Sequence, residues 1–238
     1  MKEKIYKDIF LDFDDTLYDT RGNADIALVE LYEHFGMQRY FDSIEAFTVP
    51  YWQVNRELWQ QYSAGEITRD YLILERFRRP LSLGRGLENV SREYCLGVSD
   101  CFLELCAVKP GLVNGAREAV DYLRSRGYGL HICSNGFREV QYRKLRACGL
   151  ADCFDTVVLS EDAGVNKPSV DYFRYAFRAT GASPADTLMV GDNYKADILG
   201  AMGAGLAAMW FNRHPEQDRA DVQPDYEIHG LDEICAIL

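Results

Sequence analysis

No apolar stretch in the sequence is long enough to cross a bilayer. The longest run without a charged or strongly polar residue, Ile198 to Phe211, has 14 residues and contains Gly200, Gly203 and Gly205. A spanning helix needs about 18 or more. The first residues carry charge without a following apolar region of signal-peptide length, so a soluble, cytoplasmic protein is expected. Basic charge is also scarce: Lys and Arg number 26 against 37 Asp and Glu, a net charge of −11. A field of that sign repels polyanions, which argues against a general nucleic-acid or acidic-membrane binder. It leaves room for one local basic pocket around a small anion. The 7 cysteines are odd in number and no pair stands at C-x-x-C spacing, which speaks against a disulfide framework or a zinc site. They are expected as small buried apolar residues. Only 4 histidines occur, His34, His131, His214 and His229, scattered without ligand spacing. No chemistry is assigned to them.

What is present is a globular chain of 238 residues, 47% hydrophobic, large enough to build a core without staples. Its first strand signal runs from Ile5 to Phe13, straight into the acids Asp12, Asp14 and Asp15. From about Asn23 to Cys106 apolar residues recur at helical spacing, as in Leu72, Leu74, Phe77 and Leu81. Thr68 is a candidate N-cap within that region. From Pro110 onward helices and strands alternate. Helices are predicted over 115–126, 137–148, 170–180, 195–202 and 231–238, and strands over 128–133, 154–159, 187–190, 206–211 and, at the edge, 226–228. Alternation of this kind implies a parallel sheet covered on both faces. A strand-to-strand crossover needs a few tens of residues, far fewer than separate Phe13 from Tyr128. The fold class is therefore α/β, a Rossmann-like parallel-sheet core with an inserted all-helical cap. The core is assigned to 1–19 and 107–238, and the cap to 20–106.

Ligands of open α/β sheets collect at the carboxyl ends of the strands. After the first predicted strand come Asp12, Asp14 and Thr16, and after the second Ser134-Asn135-Gly136. Past the third comes Lys167-Pro168, and after the fourth Gly191-Asp192-Asn193 with Asp197 beyond. Asp12, Asp14 and Asp192 together are more negative charge than a site holds unpaired. A hard dication with oxygen ligands, Mg²⁺, resolves the excess. Lys167 adds an opposing charge, and Ser134 with the amides after it can donate to phosphoryl oxygens.

These residues resemble the haloacid-dehalogenase-like hydrolases, most of which are phosphatases. Asp12-Phe13-Asp14-Asp15-Thr16-Leu17 matches the family's D-x-D-x-T-L motif, Ser134 the second motif, Lys167-Pro168 the third, and Gly191-Asp192 with Asp197 the fourth. The resemblance implies that Asp12 is the nucleophile and a Mg²⁺ ligand. It makes Asp14 general acid, then general base, with its backbone carbonyl on the metal. Thr16 would position the Asp14 region. Ser134, Asn135 and Lys167 would hold the phosphoryl group, Asp192 would bind the metal, and Asn193 and Asp197 would support the metal's water shell. Dehalogenases of the family lack a carboxylate at the position of Asp14, since expelling halide needs no proton, so Asp14 favours phosphate-ester hydrolysis. A Schiff-base lysine of the phosphonate-cleaving kind is missing, because no Lys occurs between Lys7 and Lys109.

A finer resemblance, carried by 135–137, 162–168, 189–200, 204–206 and Trp59, Tyr62, Gly65, Ile67 and Thr68, is to bacterial pyrimidine 5′-nucleotidases. The implied partner is a small phosphorylated metabolite, with no nucleic-acid polymer and no membrane. A sugar-phosphate or broad-range phosphatase of the same family is the alternative. A phospho-acceptor signalling domain or a non-catalytic binding protein ranks lower. Within the cap, Trp52, Trp59 and Tyr62 are expected mostly in the core, and Arg56, Arg69 and Arg76 solvated or paired.

Overall fold

A computed structural model describes residues 6–213 and 222–238. Ile5, where the first predicted strand begins, and His214 lie outside them. The sheet strands are β1 (Asp8–Leu11), β2 (Gly129–Ser134), β3 (Thr156–Leu159), β4 (Thr187–Gly191), β5 (Ala207–Phe211) and β6 (Tyr226–Ile228). All pairings are parallel, in the order β3-β2-β1-β4-β5-β6. The order reverses between β1 and β4, and that reversal opens the crevice in which such sheets bind ligands.

The alternation along β1 explains why both faces are covered. Ile9 and Leu11 enter one apolar cluster with Ala116, Ala119, Val120 and Leu123 of helix α5 (Ala116–Ser125). Phe10 points the other way, into a cluster with Tyr172, Phe173 and Ala176. Strands buried on both sides need such near-continuous apolar runs. The chain divides into two compact units, Met1–Thr20 with Pro110–Leu238, and Arg21–Lys109. Among the described residues no helix is long and apolar enough to cross a membrane. All 7 cysteines are free; Cys95, Cys106, Cys133 and Cys148 are buried, whereas Cys235 is exposed.

The helical unit contains α1 (Thr20–His34), α2 (Ile44–Ser63), α3 (Arg69–Leu81) and α4 (Arg92–Ala107). Thr68 caps α3, its hydroxyl accepting from the Tyr71 amide at 3.2 Å. The buried aromatics are Phe41, Phe47, Tyr51, Phe77 and Phe102, and the expectation for Trp52, Trp59 and Tyr62 needs correction. In α2 the buried stripe is Phe47, Tyr51 and Leu58, a helical repeat of four and seven. Trp52 and Trp59 stand one residue past that stripe and are only half-buried. Trp52 donates from Nε1 to Asp25 at 2.7 Å, carries the Arg21 guanidinium 3.9 Å from its ring centroid, and lines a cleft of about 500 Å³ with Gln53 and Arg56. Arg56 is exposed and Arg69 half-buried. Arg76 is neither solvated nor paired with a carboxylate: it is buried, bonded to Ser99 at 3.2 Å and set against the rings of Phe77 and Phe102.

Two other boundaries differ from the sequence reading. The helix expected over 195–202 is a wide π-type turn, Tyr194–Leu199, followed by the short helix Gly200–Gly203. The helix expected over 231–238 opens as a 3₁₀ turn, Leu231–Glu233, before Ile234–Ile237. A short helix, Ser160–Ala163, directly after β3 was not anticipated. Helix α6 (Arg138–Ala147) follows β2.

Candidate active site

Four strands deliver their C-terminal residues to the crevice between β1 and β4. Asp12 leaves β1, and its amide donates to the Val190 carbonyl of β4 at 2.9 Å. Asp192 leaves β4, and its carbonyl accepts from Trp210 Nε1 of β5 at 3.0 Å. Lys167 comes from the segment after β3, ahead of a cis peptide bond to Pro168. The residue is 1% exposed. It donates to Asp12 Oδ1 at 2.7 Å, Asp197 Oδ1 at 2.6 Å and the Cys133 carbonyl at 2.6 Å. All three donors of the ammonium are thereby used.

The remaining contacts close this group. Thr16 Oγ1 lies 3.1 Å from Asp192 Oδ1 and 3.3 Å from Asp12 Oδ2, and accepts from the Asp192 amide at 3.0 Å. Asp197 Oδ2 accepts from the Asn193 amide at 3.0 Å. A Cβ on Gly191 would lie 2.3 Å from that same Oδ2, so glycine there is what lets Asp197 fold back over the end of β4.

Carboxylate oxygens of Asp12, Asp192 and Asp197 lie within 4.8 Å of one another, and the Lys167 ammonium contacts two of these acids, Asp12 and Asp197. Burial pushes the Asp12 carboxyl up to about 7; Lys167 opposes the rise, and Asp197 adds to it. Burial, then Asp12 and Asp197, hold Asp192 well above the usual carboxylate range. Burial by itself would lower Lys167, but Asp12 and Asp197 override it, and the lysine stays charged. Buried oxygen donors with excess negative charge suit a hard dication such as Mg²⁺. Both oxygens of Asp197 already accept protein donors, whereas Asp12 Oδ2 and Asp192 Oδ1 share the single proton of Thr16, which makes Asp12 and Asp192 the better first ligands.

This predicts how metal binding depends on pH. Asp12 and Asp192 hold protons in the folded chain at pH values where the unfolded chain has lost them. The contribution of Asp12 to stability is full below about pH 4 and is lost as pH rises through about 7, and that of Asp192 is lost in the same direction. A dication replaces those protons. The gain in Tm on adding Mg²⁺ should therefore grow between about pH 5 and about pH 8. A gain that is flat or shrinks across that interval would contradict cation binding at these two carboxylates.

Asp14 lies apart from this cluster. Its carboxylate accepts from Lys144 Nζ at 2.6 Å and Thr20 Oγ1 at 2.8 Å through Oδ1, and from Gln141 Nε2 at 2.5 Å through Oδ2. Burial would raise its pKa, but Lys144, Thr20 and Gln141 overcome that and hold it below the usual range. Lys144 is itself buried and lies 4.8 Å from the Tyr18 ring centroid. Asp15, next along the loop, has φ 61° and meets Arg213 through its carbonyl at 3.3 Å.

Several side chains take positions different from those expected. Thr16 bridges Asp12 and Asp192 rather than serving Asp14. The Asn135 side chain is committed to the Lys167 backbone, donating to its carbonyl at 3.0 Å and accepting from its amide at 2.9 Å. It therefore shapes the lysine loop. The Asn193 side chain caps the π-type turn, accepting from the Ala196 amide at 2.9 Å. Ser134 is the last residue of β2; its buried hydroxyl accepts from the Gly136 amide at 3.0 Å and Gln141 Nε2 at 2.7 Å, which leaves its own proton to donate. Thr20, Gln141, Lys144 and Trp210 were not foreseen. The only sequence signal was the spacing of Gln141 and Lys144, one helical turn apart and so on one face of α6.

Known proteins share this architecture. The crystal structure of the HAD-hydrolase YfnB from Bacillus subtilis bound to magnesium superposes with a TM-score of 0.85 at 30% identity, covering 98% of this chain and 99% of that one. The pyrimidine 5′-nucleotidase YjjG of Escherichia coli is 32% identical over 97% of this chain and 96% of its own length. A glyceraldehyde 3-phosphate phosphatase of Methanothermobacter thermautotrophicus is 29% identical over 96% of this chain and 99% of its own. With residues 6–205 matching the family as a whole, the chain belongs to the haloacid dehalogenase-like hydrolases.

Proposed function

We propose that this protein is a Mg²⁺-dependent phosphomonoesterase that works through an aspartyl-phosphate on Asp12, with nucleoside 5′-monophosphates as its substrates. The observation that carries the reading is the separation of two carboxylate environments two residues apart. Asp12 sits against Lys167 and the acids that need a cation, and Asp14 sits in its own set of donors. Two carboxyls whose surroundings push their pKa values apart suit two different roles.

In this mechanism an Asp12 oxygen attacks phosphorus, and the bond from phosphorus to the ester oxygen breaks. The departing oxygen takes a proton from Asp14. Asp14 then accepts a proton from water as that water attacks phosphorus, which frees the Asp12 carboxylate and releases phosphate. Ser134 donates its hydroxyl proton to a phosphoryl oxygen. Lys167 holds Asp12 and Asp197 in place and limits repulsion between Asp12 and the anionic ester. Mg²⁺, held by Asp12, Asp192 and the Asp14 backbone carbonyl, would supply charge neutralisation for the attack of one anion on another. The contact with Lys144 favours the ionised Asp14 carboxylate, which suits the base step; the acid step needs its carboxyl to loosen from Lys144.

The substrate class rests on the likeness to YjjG and on the sequence segments that resemble pyrimidine 5′-nucleotidases. A sugar-phosphate substrate is the second reading, favoured by the phosphatase of M. thermautotrophicus at nearly the same identity. The test is phosphate release from dUMP, dTMP, UMP, purine monophosphates and sugar phosphates, with Mg²⁺ and with EDTA. Mg²⁺-dependent release led by pyrimidine nucleotides is the expected result. Release mainly from sugar phosphates would keep the mechanism and replace the substrate. Release that persists in EDTA would remove the metal from the mechanism.

A further inference from the structure

Gln141 is 1% exposed, and its placement is unusual in two ways. Its amide nitrogen donates both to Asp14 Oδ2 at 2.5 Å and to Ser134 Oγ at 2.7 Å. A carboxylate can only accept, so the nitrogen has to face Asp14. That orientation leaves Oε1 buried with no hydrogen-bond donor among the described residues. A buried acceptor left unmade is costly and rare, and the fold keeps it in order to aim the nitrogen. The neighbouring loop also makes room for the amide. A Cβ on Gly136 would lie 2.1 Å from Gln141 Nε2 and 2.5 Å from its Cδ, so any side chain at 136 displaces Gln141.

We propose that Gln141 is the positioning residue for Asp14, holding its carboxyl group in place for proton transfer to the leaving group and tying it to Ser134 at the end of β2. The inference rests on the phosphomonoesterase reading, in which the ester oxygen departs with a proton from Asp14. A neutral amide N–H donates to a carboxylate and equally to the carbonyl oxygen of a protonated carboxyl. Its contact therefore survives both halves of the reaction, whereas Lys144 favours only the ionised form. Asp14, Ser134 and α6 thus come under one side chain that does not itself react.

The test compares kcat/KM on an alkyl phosphate, whose alkoxide needs a proton to leave, and on p-nitrophenyl phosphate, whose phenolate leaves without one. Wild type, Asp14→Asn, Gln141→Leu and Gly136→Ala are measured in parallel, with circular dichroism to establish folding. General acid catalysis contributes about 10²- to 10⁴-fold, so Asp14→Asn should lose about that much more on the alkyl ester than on the aryl ester. Gln141→Leu and Gly136→Ala should show the same imbalance at a smaller size, about 10-fold or more. Equal losses of Gln141→Leu on both esters, or none, beside an unbalanced Asp14→Asn would overturn the inference; equal losses would assign Gln141 to Ser134 and phosphate binding. A balanced Asp14→Asn would instead remove the acid role of Asp14, and this inference with it. If Gln141→Leu does not fold, Gly136→Ala decides on the same criterion.

Discussion

Replacing Asp12 by Asn should abolish turnover while leaving the fold at least as stable as before. Amide nitrogen and oxygen cannot replace the attacking carboxylate, and loss of a nucleophile costs on the order of 10⁴-fold or more in kcat. The stability effect runs the other way. Carboxylate oxygens of Asp12, Asp192 and Asp197 crowd within 4.8 Å of one another, and burial already pushes Asp12 up to about 7. Removing one of the three acids relieves repulsion that the metal-free fold otherwise bears. Asp12→Asn should therefore match or exceed the wild-type Tm in EDTA and gain less from Mg²⁺. The pair of measurements is phosphate release and thermal unfolding with and without Mg²⁺. Retained turnover in the variant would end the case for Asp12 as nucleophile. A lower Tm in EDTA would show that Asp12 stabilises the fold through Lys167 more than it burdens it.

Replacing Lys167 by Met should have the larger cost in stability. The ammonium is fully used by Asp12, Asp197 and the Cys133 carbonyl. Its loss strands buried carboxylates, and breaking a buried pair from one side costs about 3–5 kcal/mol. For a chain of this size that corresponds to a fall in Tm on the order of 10 °C. The loss should depend on pH in a definite direction. Lys167 opposes the burial-driven rise at Asp12, so without the lysine Asp12 binds its proton still more tightly in the folded chain than in the unfolded one. The stability of the variant relative to wild type is then best at acidic pH and worsens as pH rises towards neutrality and beyond. Mg²⁺ should restore part of it, because the cation supplies the missing positive charge. Thermal unfolding across pH, with and without Mg²⁺, separates these statements. A deficit that grows on acidification would mean that Lys167 serves packing rather than charge balance. Turnover should also collapse, since Asp12 loses the partner that orients it.

Asp12, Ser134 and Asp192 were legible because each follows a short apolar run that reads as a buried strand, and Lys167 because it stands eight residues past the third such run, which ends at Leu159. Leu11 and Phe13 flank Asp12, and Val190 and Gly191 lead into Asp192. A strand end is a local property of the chain, and a parallel sheet then carries all such ends to one edge. The helical insertion was legible for the same reason, as apolar residues at helical spacing between Asn23 and Cys106 contrast with the alternating segments on either side.

What each side chain holds was decided by packing between distant segments. Gln141 and Lys144 reach Asp14 across 127 and 130 residues of chain, and nothing in the spacing of α6 names that partner. Asn135 looked like a phosphate ligand from its place after Ser134, yet both ends of its amide are bound to the Lys167 backbone 32 residues away. Thr16 turned towards Asp192 because β4 lies beside β1 in the sheet. The sequence by itself determined the order of elements, the strand ends and the chemical character of the groups placed there, since burial patterns and residue types are local. The tertiary structure alone decided which acid faces Lys167, which faces Lys144, and which polar groups are left to meet a ligand, because hydrogen bonds a few ångströms long depend on how distant elements pack.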